Sequence, residues 1–588
     1  MYRYLFTLFI GIGLLAACQS EKEQDEQTKT SQDTTFNTYK EAFVEELWAT
    51  YPTWASYEGF HKYDSVLRIP NEATRNKEIA FVEEHLKQLA AFDIEQLSDN
   101  NQTDFYLIEN QLKKTRWQLN DYKAYQWNPS NYNVSGTFAV MLINDYDALE
   151  TRLQNFHKRL QQVPAYYAAA KENIQNPTEV HTQLAIEQNL GGLSVFEKDL
   201  PEALTKSNLS ETQKQTLQEE AETAVAAIND YVAWLKALPM ENPRSFRLGE
   251  ALYEAKFNYN IQSGYSAEEI YQKAQAHKKA VHQKMIIIAD TLWGKYLPEQ
   301  AKPEEPLAMV RQLIDKISLK HVAPDSFQLA IEAQIPELEK FIKEKDLLTL
   351  DPTKPLKVRR EPDYMAGVAG ASISAPGPYD KEGNTYYNVG SLAGWSPERA
   401  ESYLREYNHY ILQILNIHEA IPGHYTQLVY SNQSPSIIKA ILGNGAMIEG
   451  WAVYTELMML ENGYGNHEPE LWLMYYKWNL RSTCNTILDY AVHTQEMTKE
   501  KALDLLTNEA FQQQAEAEGK WRRVRLTSVQ LTSYFTGYQE IYDFREEMKD
   551  QQGDNFDLKA FHEQFLGYGS APVKYIKAMM TSTLTEVE

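Results

Sequence analysis

Apolar residues along most of the chain recur every three or four positions, the period of a helix that turns one face inward. In the segment Glu211 to Leu238, Leu217, Ala221, Ala224, Ile228, Tyr231 and Leu235 make one such stripe. This texture dominates from about Thr38 to Leu350. A helix start is legible at Ser266-Ala267-Glu268-Glu269. Ser266 can accept from the first free N–H groups, and Glu269, three residues on, can reach back to close a capping box. No fixed-period repeat is visible, so a solenoid is not expected.

Near Pro352 the pattern changes. Residues 352–397 are rich in Pro and Gly and hold two strand-like pieces, Tyr364–Ser374 and Thr385–Val389, with a turn at Asp380-Lys381-Glu382-Gly383-Asn384. Helical patterning returns at about Pro397 and runs almost to the end. The expected fold is mainly α, a large helical scaffold with a small β-sheet just ahead of the candidate chemistry. A helical N-terminal region is expected over 37–350 and a second, chemistry-bearing region over 351–588.

The first residues depart from both patterns. Arg3 is followed by an apolar stretch, Leu5 to Leu15, too short to cross a bilayer. Leu15-Ala16-Ala17-Cys18 then matches a bacterial lipobox, which makes 1–17 a signal peptide and Cys18 an acylated mature N-terminus. Gln19 to Thr35 has almost no apolar residue and cannot offset its ordering entropy, so 18–36 is expected to be a flexible tether. Ser20-Glu21-Lys22-Glu23 resembles the surface-export signals of Bacteroidetes lipoproteins. The expected location is the bacterial cell envelope, on the periplasmic face or the cell surface, with the lipid on Cys18 as the membrane contact.

Composition adds two exclusions. The 588 residues are 43% hydrophobic and 23% charged, as in soluble globular proteins, and the formal net charge is −24. Such an acidic chain is a poor partner for nucleic acid or anionic headgroups. There are two cysteines, and with Cys18 carrying lipid, Cys484 is left alone, so no structural disulfide is expected.

The candidate chemistry centres on His418-Glu419-Ala420-Ile421-Pro422-Gly423-His424. A common zinc-peptidase motif sets two histidines four apart on a helix, with a glutamate beside the first. Here they are six apart, which on a straight helix leaves them about 120° out of line. Pro422-Gly423 can interrupt the ladder so that residues bulge out and the second imidazole swings back. The same pair also reads as a plain helix stop. A catalytic zinc takes about three protein ligands and keeps one open position. Downstream, Glu449-Gly450-Trp451-Ala452-Val453-Tyr454-Thr455-Glu456 offers two carboxylates seven apart on one helical face. One can bind metal while the other holds a ligand histidine through its second nitrogen. A third helix carries Arg481, Asn485, Asp489 and His493 at four-residue spacing among apolar neighbours. That stripe is either an internal hydrogen-bond network or a wall of the site.

These motifs resemble the domain-of-unknown-function 885 family, whose members are often lipoproteins and which is grouped with the thermolysin-like gluzincin metallopeptidases. The likeness lies in H-E-A-x-P-G-H with Gln427, and in E-G-W-A-x-Y-x-E from Glu449 to Glu456. It extends to the Asp489/His493 pair, Gln530-x-x-x-Tyr534-x-x-Gly537 with Arg545, and Phe556-Asp557 with Phe561-His562. Upstream it includes Tyr51-Pro52, Gly59-x-His61-x-Tyr63-Asp64 and Tyr386-Tyr387-Asn388. Ala491 departs from it, where the family pattern has glycine.

The resemblance implies zinc bound by His418, His424 and Glu449, with Glu419 as the general base acting on water. Glu456 and Asp489 are implied as outer partners of the ligands, and Tyr534 and His493 as donors to the oxyanion. Arg545 is implied as a contact for a substrate carboxylate or as a structural ion pair. Asn388 is the substrate contact on a strand, Tyr386–Val389, that can pair with an extended peptide. The implied activity is zinc-dependent hydrolysis of peptide bonds in short peptides, in a cleft of the helical scaffold. A metal-dependent amidase on non-peptide substrates, or a non-catalytic peptide-binding lipoprotein, would keep most of the same residues.

Overall fold

The computed structural model describes residues 31–361, 371–380, 384–434 and 436–585, with side chains up to residue 581. The expected signal peptide, Cys18 and the first part of the tether lie outside the described residues, as do most of Tyr364–Ser374 and the middle of the turn at 380–384. Residues 31–50 form a helix, so the tether expected up to 36 is set too far along the chain. The reason is local. Phe36 is fully buried, and the Asp33 carboxylate accepts from the Ser98 N–H at 3.0 Å and from Asn101 at 2.7 Å. Among the described residues no helix is long and apolar enough to cross a membrane.

The chain forms two compact units. The first gathers residues up to Tyr125 with Val134–Asn173 and Gly192–Tyr231. Its helices pack aromatic side chains, with Phe43, Phe81 and His85 in mutual ring contact. The upstream motif residue Asp64 is buried here and accepts from Ser56 Oγ at 2.6 Å, His61 Nδ1 at 3.0 Å and the Tyr146 hydroxyl at 2.5 Å. Its lone pairs are used in holding this unit together.

The second unit comprises Gln126–Asn133, Ile174–Gly191 and everything from Val232 onward. Its frame is set by α1 (Ala267–Tyr296) and α2 (Phe327–Glu344). Ser266 and Glu269 close the expected capping box at the start of α1. A three-stranded sheet follows: β1 (Lys357–Arg360), β2 (Ala371–Ser374) and β3 (Tyr386–Val389), in the order β1-β3-β2. β1 is parallel and β2 antiparallel to the central β3, with Ser372 opposite Asn388. The remaining helices used below are α3 (His409–Glu419), α4 (His424–Ser431), α5 (Gly445–Glu461), α6 (Pro469–Thr494), α7 (Gln514–Leu526) and α8 (Ser533–Gln552).

Residue 351 is not an edge between the units. α1 lies before it yet packs along α6, where His277 Nε2 and Asn479 Oδ1 meet at 2.7 Å. Gln334 of α2 accepts from Asn416 of α3 at 2.6 Å, and Asn416 in turn accepts from the buried Tyr387 hydroxyl of β3 at 2.8 Å. The composition shift near Pro352 marks the sheet, and these contacts tie that sheet to α3.

α3 is apolar nearly all round, with Ile411, Leu412, Ile414, Leu415 and Ile417 buried, as suits a helix inside a core. Asn408 starts it by accepting from the N–H groups of Tyr410 and Ile411. α5 and α8 are held unusually close. A Cβ on Gly450 would lie 2.2 Å from the Gly537 carbonyl carbon, so only glycine fits on either side. Gly450 therefore makes room for α8.

Candidate metal centre

The His418–His424 motif is two helices joined by a tight turn, not one bulged helix. α3 ends at Glu419 and α4 begins at His424. Between them the Gly423 N–H donates to the Ile417 carbonyl at 3.0 Å, and the Trp451 indole N–H donates to the Pro422 carbonyl at 2.8 Å. The Ile421–Pro422 bond is cis. A Cβ on Gly423 would lie 1.9 Å from the His418 carbonyl oxygen, so the turn closes only with glycine there. The result brings the two imidazole centroids to 4.8 Å, with the rings at 89°.

α5 supplies the third group. Glu449 Oε2 is 3.3 Å from His424 Nε2 and 4.0 Å from His418 Nε2. One ligand atom from each of His418, His424 and Glu449 falls within 4.8 Å of the others. Two turns along α5, Glu456 is buried and accepts at 2.7 Å from His418 Nδ1 and at 3.0 Å from the Trp478 indole N–H. That bond puts the His418 proton on Nδ1 and leaves Nε2 free to face Glu449. Two imidazole nitrogens and one carboxylate, with an outer carboxylate fixing a ring, is a donor set that suits zinc.

The charges fit the same picture. Burial acts to lower the His418 pKa, but the hydrogen bond to Glu456 and the charges of Glu456, Glu419 and Glu449 raise it to about 9. For Glu449 burial raises the carboxyl, yet His424, His418 and the Tyr534 hydroxyl together pull it below its usual range. Glu419 is held above the usual carboxylate range by burial first, with Glu449 and Glu456 adding to it against the two histidines. Three carboxylates around two imidazoles leave the metal-free cluster short of positive charge.

The cluster forms the floor of a cavity of about 1500 Å³. β2 lines one side through Ala371, Ser372 and Ile373, while Arg481, Glu516, Lys520, Arg523 and Tyr534 line another. Tyr534 acts on Glu449, and its hydroxyl receives a 3.4 Å hydrogen bond from Arg523.

Several expected site residues lie elsewhere. His493 does not border the cavity; its Nε2–H is shared between the Val524 and Thr527 carbonyls at 2.9 Å each. Asp489 is fully buried and accepts from the Val529 and Leu531 N–H groups at 3.1 and 2.9 Å, anchoring the turn that leads into α8. The stripe on α6 thus divides: Arg481 and Asn485 border the cavity, and Asp489 and His493 brace the fold beyond it. Arg545 is an internal ion pair, 2.8 Å from Glu461 and 2.7 Å from Glu546, and is not a cavity residue. Asn388 is buried within the sheet, where it accepts from Arg359 at 2.6 Å and donates to Ser374 Oγ at 2.7 Å. Because β3 is paired on both sides, it has no edge for an added strand; β2 is paired on one side only among the described residues. Trp478, Lys520 and Arg523 were not singled out by the sequence. Trp478 sits 22 positions from Glu456 on a different helix, so no spacing rule links them.

The comparisons agree with this arrangement as a fold. The model of a family described as bacterial protein of unknown function (DUF885) matches residues 52–580. A candidate lipoprotein of unknown function from Shewanella oneidensis is similar in structure with a TM-score of 0.87 at 55% identity. That match covers 93% of this chain and 99% of the other. A candidate lipoprotein from Colwellia psychrerythraea matches at a TM-score of 0.75 and 16% identity, covering 95% of this chain and 100% of that one, and so shares the fold. No curated protein matches. With a family model matched over nearly its whole length, the chain belongs to the DUF885 family of bacterial proteins of unknown function.

Proposed function

We propose that this protein is a zinc-dependent hydrolase of peptide bonds in short peptides, of the gluzincin kind, held on the bacterial envelope by a lipid on Cys18. The observation that carries the reading is the meeting of His418, His424 and Glu449 within 4.8 Å, beside Glu419, on the floor of the cavity. His418, His424 and Glu449 would hold the zinc, which when bound would supply a Lewis acid for the scissile carbonyl and for water.

Glu419 takes the proton from the attacking water and passes it to the leaving amine, a task suited to a carboxylate whose proton affinity is raised by burial. Glu456 keeps the His418 ring oriented through Nδ1. Tyr534, whose hydroxyl is polarised by Arg523, donates to the oxyanion that forms on the carbonyl oxygen. The edge of β2 that is unpaired among the described residues aligns the substrate backbone by hydrogen bonds of the sheet type. Support for the anchor comes from the Leu15-Ala16-Ala17-Cys18 lipobox and from the lipoprotein descriptions of the two structural relatives.

Incubating the purified protein with a peptide library, with and without chelator, and reading the products by mass spectrometry tests the activity. Chelator-sensitive cleavage is expected. Intact peptides throughout would remove the peptidase reading, and turnover of non-peptide amides alone would replace it with an amidase.

A further inference from the structure

The cations around the cavity are not equivalent. Arg481 is matched by Glu406 at 3.1 Å and Glu516 at 2.6 Å, and Lys477 by Glu406 at 2.7 Å. Lys520 and Arg523 stand three apart on α7, on one face, and both line the cavity. Lys520 is only 9% exposed, yet it makes no hydrogen bond or ion pair with any described residue. Arg523 donates to Gln530 Oε1 at 2.7 Å and to the Tyr534 hydroxyl, and has no carboxylate partner among the described residues. Glu516, one turn from Lys520 on the same helix, is already taken by Arg481.

Burial and the nearby Arg481 push Lys520 down to about 7, against the charges of Glu516 and Glu449, which act to raise it. Arg481 and Lys520 share the single carboxylate of Glu516, Arg523 stands beside them, and the open side is the cavity. The Tyr534 hydroxyl receives from Arg523 at 3.4 Å and lies near enough to Glu449 to lower its pKa, so the guanidinium stands within roughly 7 Å of the ligand carboxylate. An extended peptide advances about 3.4 Å per residue. An anion held by Lys520 and Arg523 then falls one or two residues beyond a bond cut at the metal centre.

We propose that Lys520 and Arg523 form a subsite for the free C-terminal carboxylate of a peptide, so that the substrates are short peptides cut one or two residues from that end. This rests on the hydrolase reading above for the cut, but not for the binding. Arg523 offers a planar fork to the carboxylate, and Lys520 a point charge beside it. A peptide with a blocked C-terminus would leave the buried Lys520 and the half-buried Arg523 without that carboxylate, which is the basis for selection.

The test is calorimetric titration of the zinc-loaded, full-chain Glu419→Gln protein with N-acetyl-tetraalanine as the free acid and as the amide. The acid is expected to bind at least about ten-fold more tightly, and adding Lys520→Met or Arg523→Gln should remove most of that preference. Equal affinity for acid and amide, or no binding of either, overturns the subsite, and this comparison needs no change to α7. Adding Lys520→Arg should keep the preference, and its loss there would point to packing and against a charge role. Cleavage of both peptides by the unsubstituted protein is followed in parallel. Cleavage with equal binding of acid and amide removes the subsite alone, while preferential binding of the acid with no cleavage removes the hydrolase alone.

Discussion

Gly450 on α5 and Gly537 on α8 touch backbone to backbone. A Cβ on Gly537 would lie 1.7 Å from the Ala446 carbonyl oxygen and 2.9 Å from the Gly450 Cα. The contact brings Tyr534, three residues before Gly537, next to Glu449, one residue before Gly450. Neither helix can yield by rotating a side chain, because the clash is with main chain.

Gly537→Ala should therefore lower stability by at least the roughly 1–3 kcal/mol typical of overpacking. It should also weaken metal binding more than a neutral surface change of similar size. Denaturant midpoints and zinc stoichiometry of the variant measure both, and an unchanged protein would mean that the helices can part without consequence.

Glu449 and Glu456 share a helix face but are about 10 Å apart along the axis, so one ion cannot touch both. Glu449→Ala should purify nearly free of zinc, whereas Glu456→Ala should retain it with an affinity about 10–100-fold lower. Competition with a chelator of known affinity ranks the two. The reverse order would put the third ligand on the wrong turn.

Glu419→Gln preserves shape and removes the base. It should keep its zinc and lose roughly 10²–10⁴-fold in turnover of any peptide the parent cleaves. Retained activity would assign water activation to another group.

His493 and His562 are buried neutral, each held near pKa 4, first by burial. His562 Nδ1–H donates to the Leu347 carbonyl at 2.9 Å while Nε2 meets the Tyr454 hydroxyl at 2.8 Å, so both nitrogens are already paired in the neutral form. The unfolded chain takes up a proton near pH 6.5 and the folded one near 4, so the contribution of these two histidines is full above about 6.5 and is lost as pH drops toward 4. Asp489 and Glu540, each pushed up to about 7 by burial, act in the opposite direction. Each histidine should remove on the order of 2 kcal/mol by pH 5. Denaturant titrations of the parent and of His562→Phe at pH 7 and pH 5 isolate one such contribution, and an equal pH dependence in both would remove it.

Cys18→Ser should shift the protein from the membrane to the soluble fraction without altering its melting. Persistent membrane association after a high-salt wash would remove the lipid anchor from the account.

Spacing made some of this legible and could not reach the rest. The stripe from Leu217 to Leu235 is buried at every position, because helical period alone decides which face turns inward. The capping box at Ser266 reads directly for the same local reason. His418 and His424 converge through the turn closed at Gly423, and Glu449 and Glu456 meet them because helical spacing puts both on one face of α5. The Arg481-to-His493 stripe reads as a unit in sequence, but its ends are about 18 Å apart along α6, too far for one cavity to use both. β1 carries one apolar residue, Val358, between charged ones, so no alternation announces it, and without it β3 looks like an edge. α7 reads as a solvated face, since the burial of Lys520 is imposed by elements remote in the chain.

The placement of Glu449 and Glu456 on one helix turns α5 into a ruler. The ion's anchor and the brace of the neighbouring imidazole are graduations on a single rod, so neither can drift without the other. The remaining freedom would be a roll of the rod about its own axis, and the groove in which Gly450 sits against Gly537 acts as a key that blocks it. Looseness in the surrounding loops is thereby kept out of the place where tolerances are tightest.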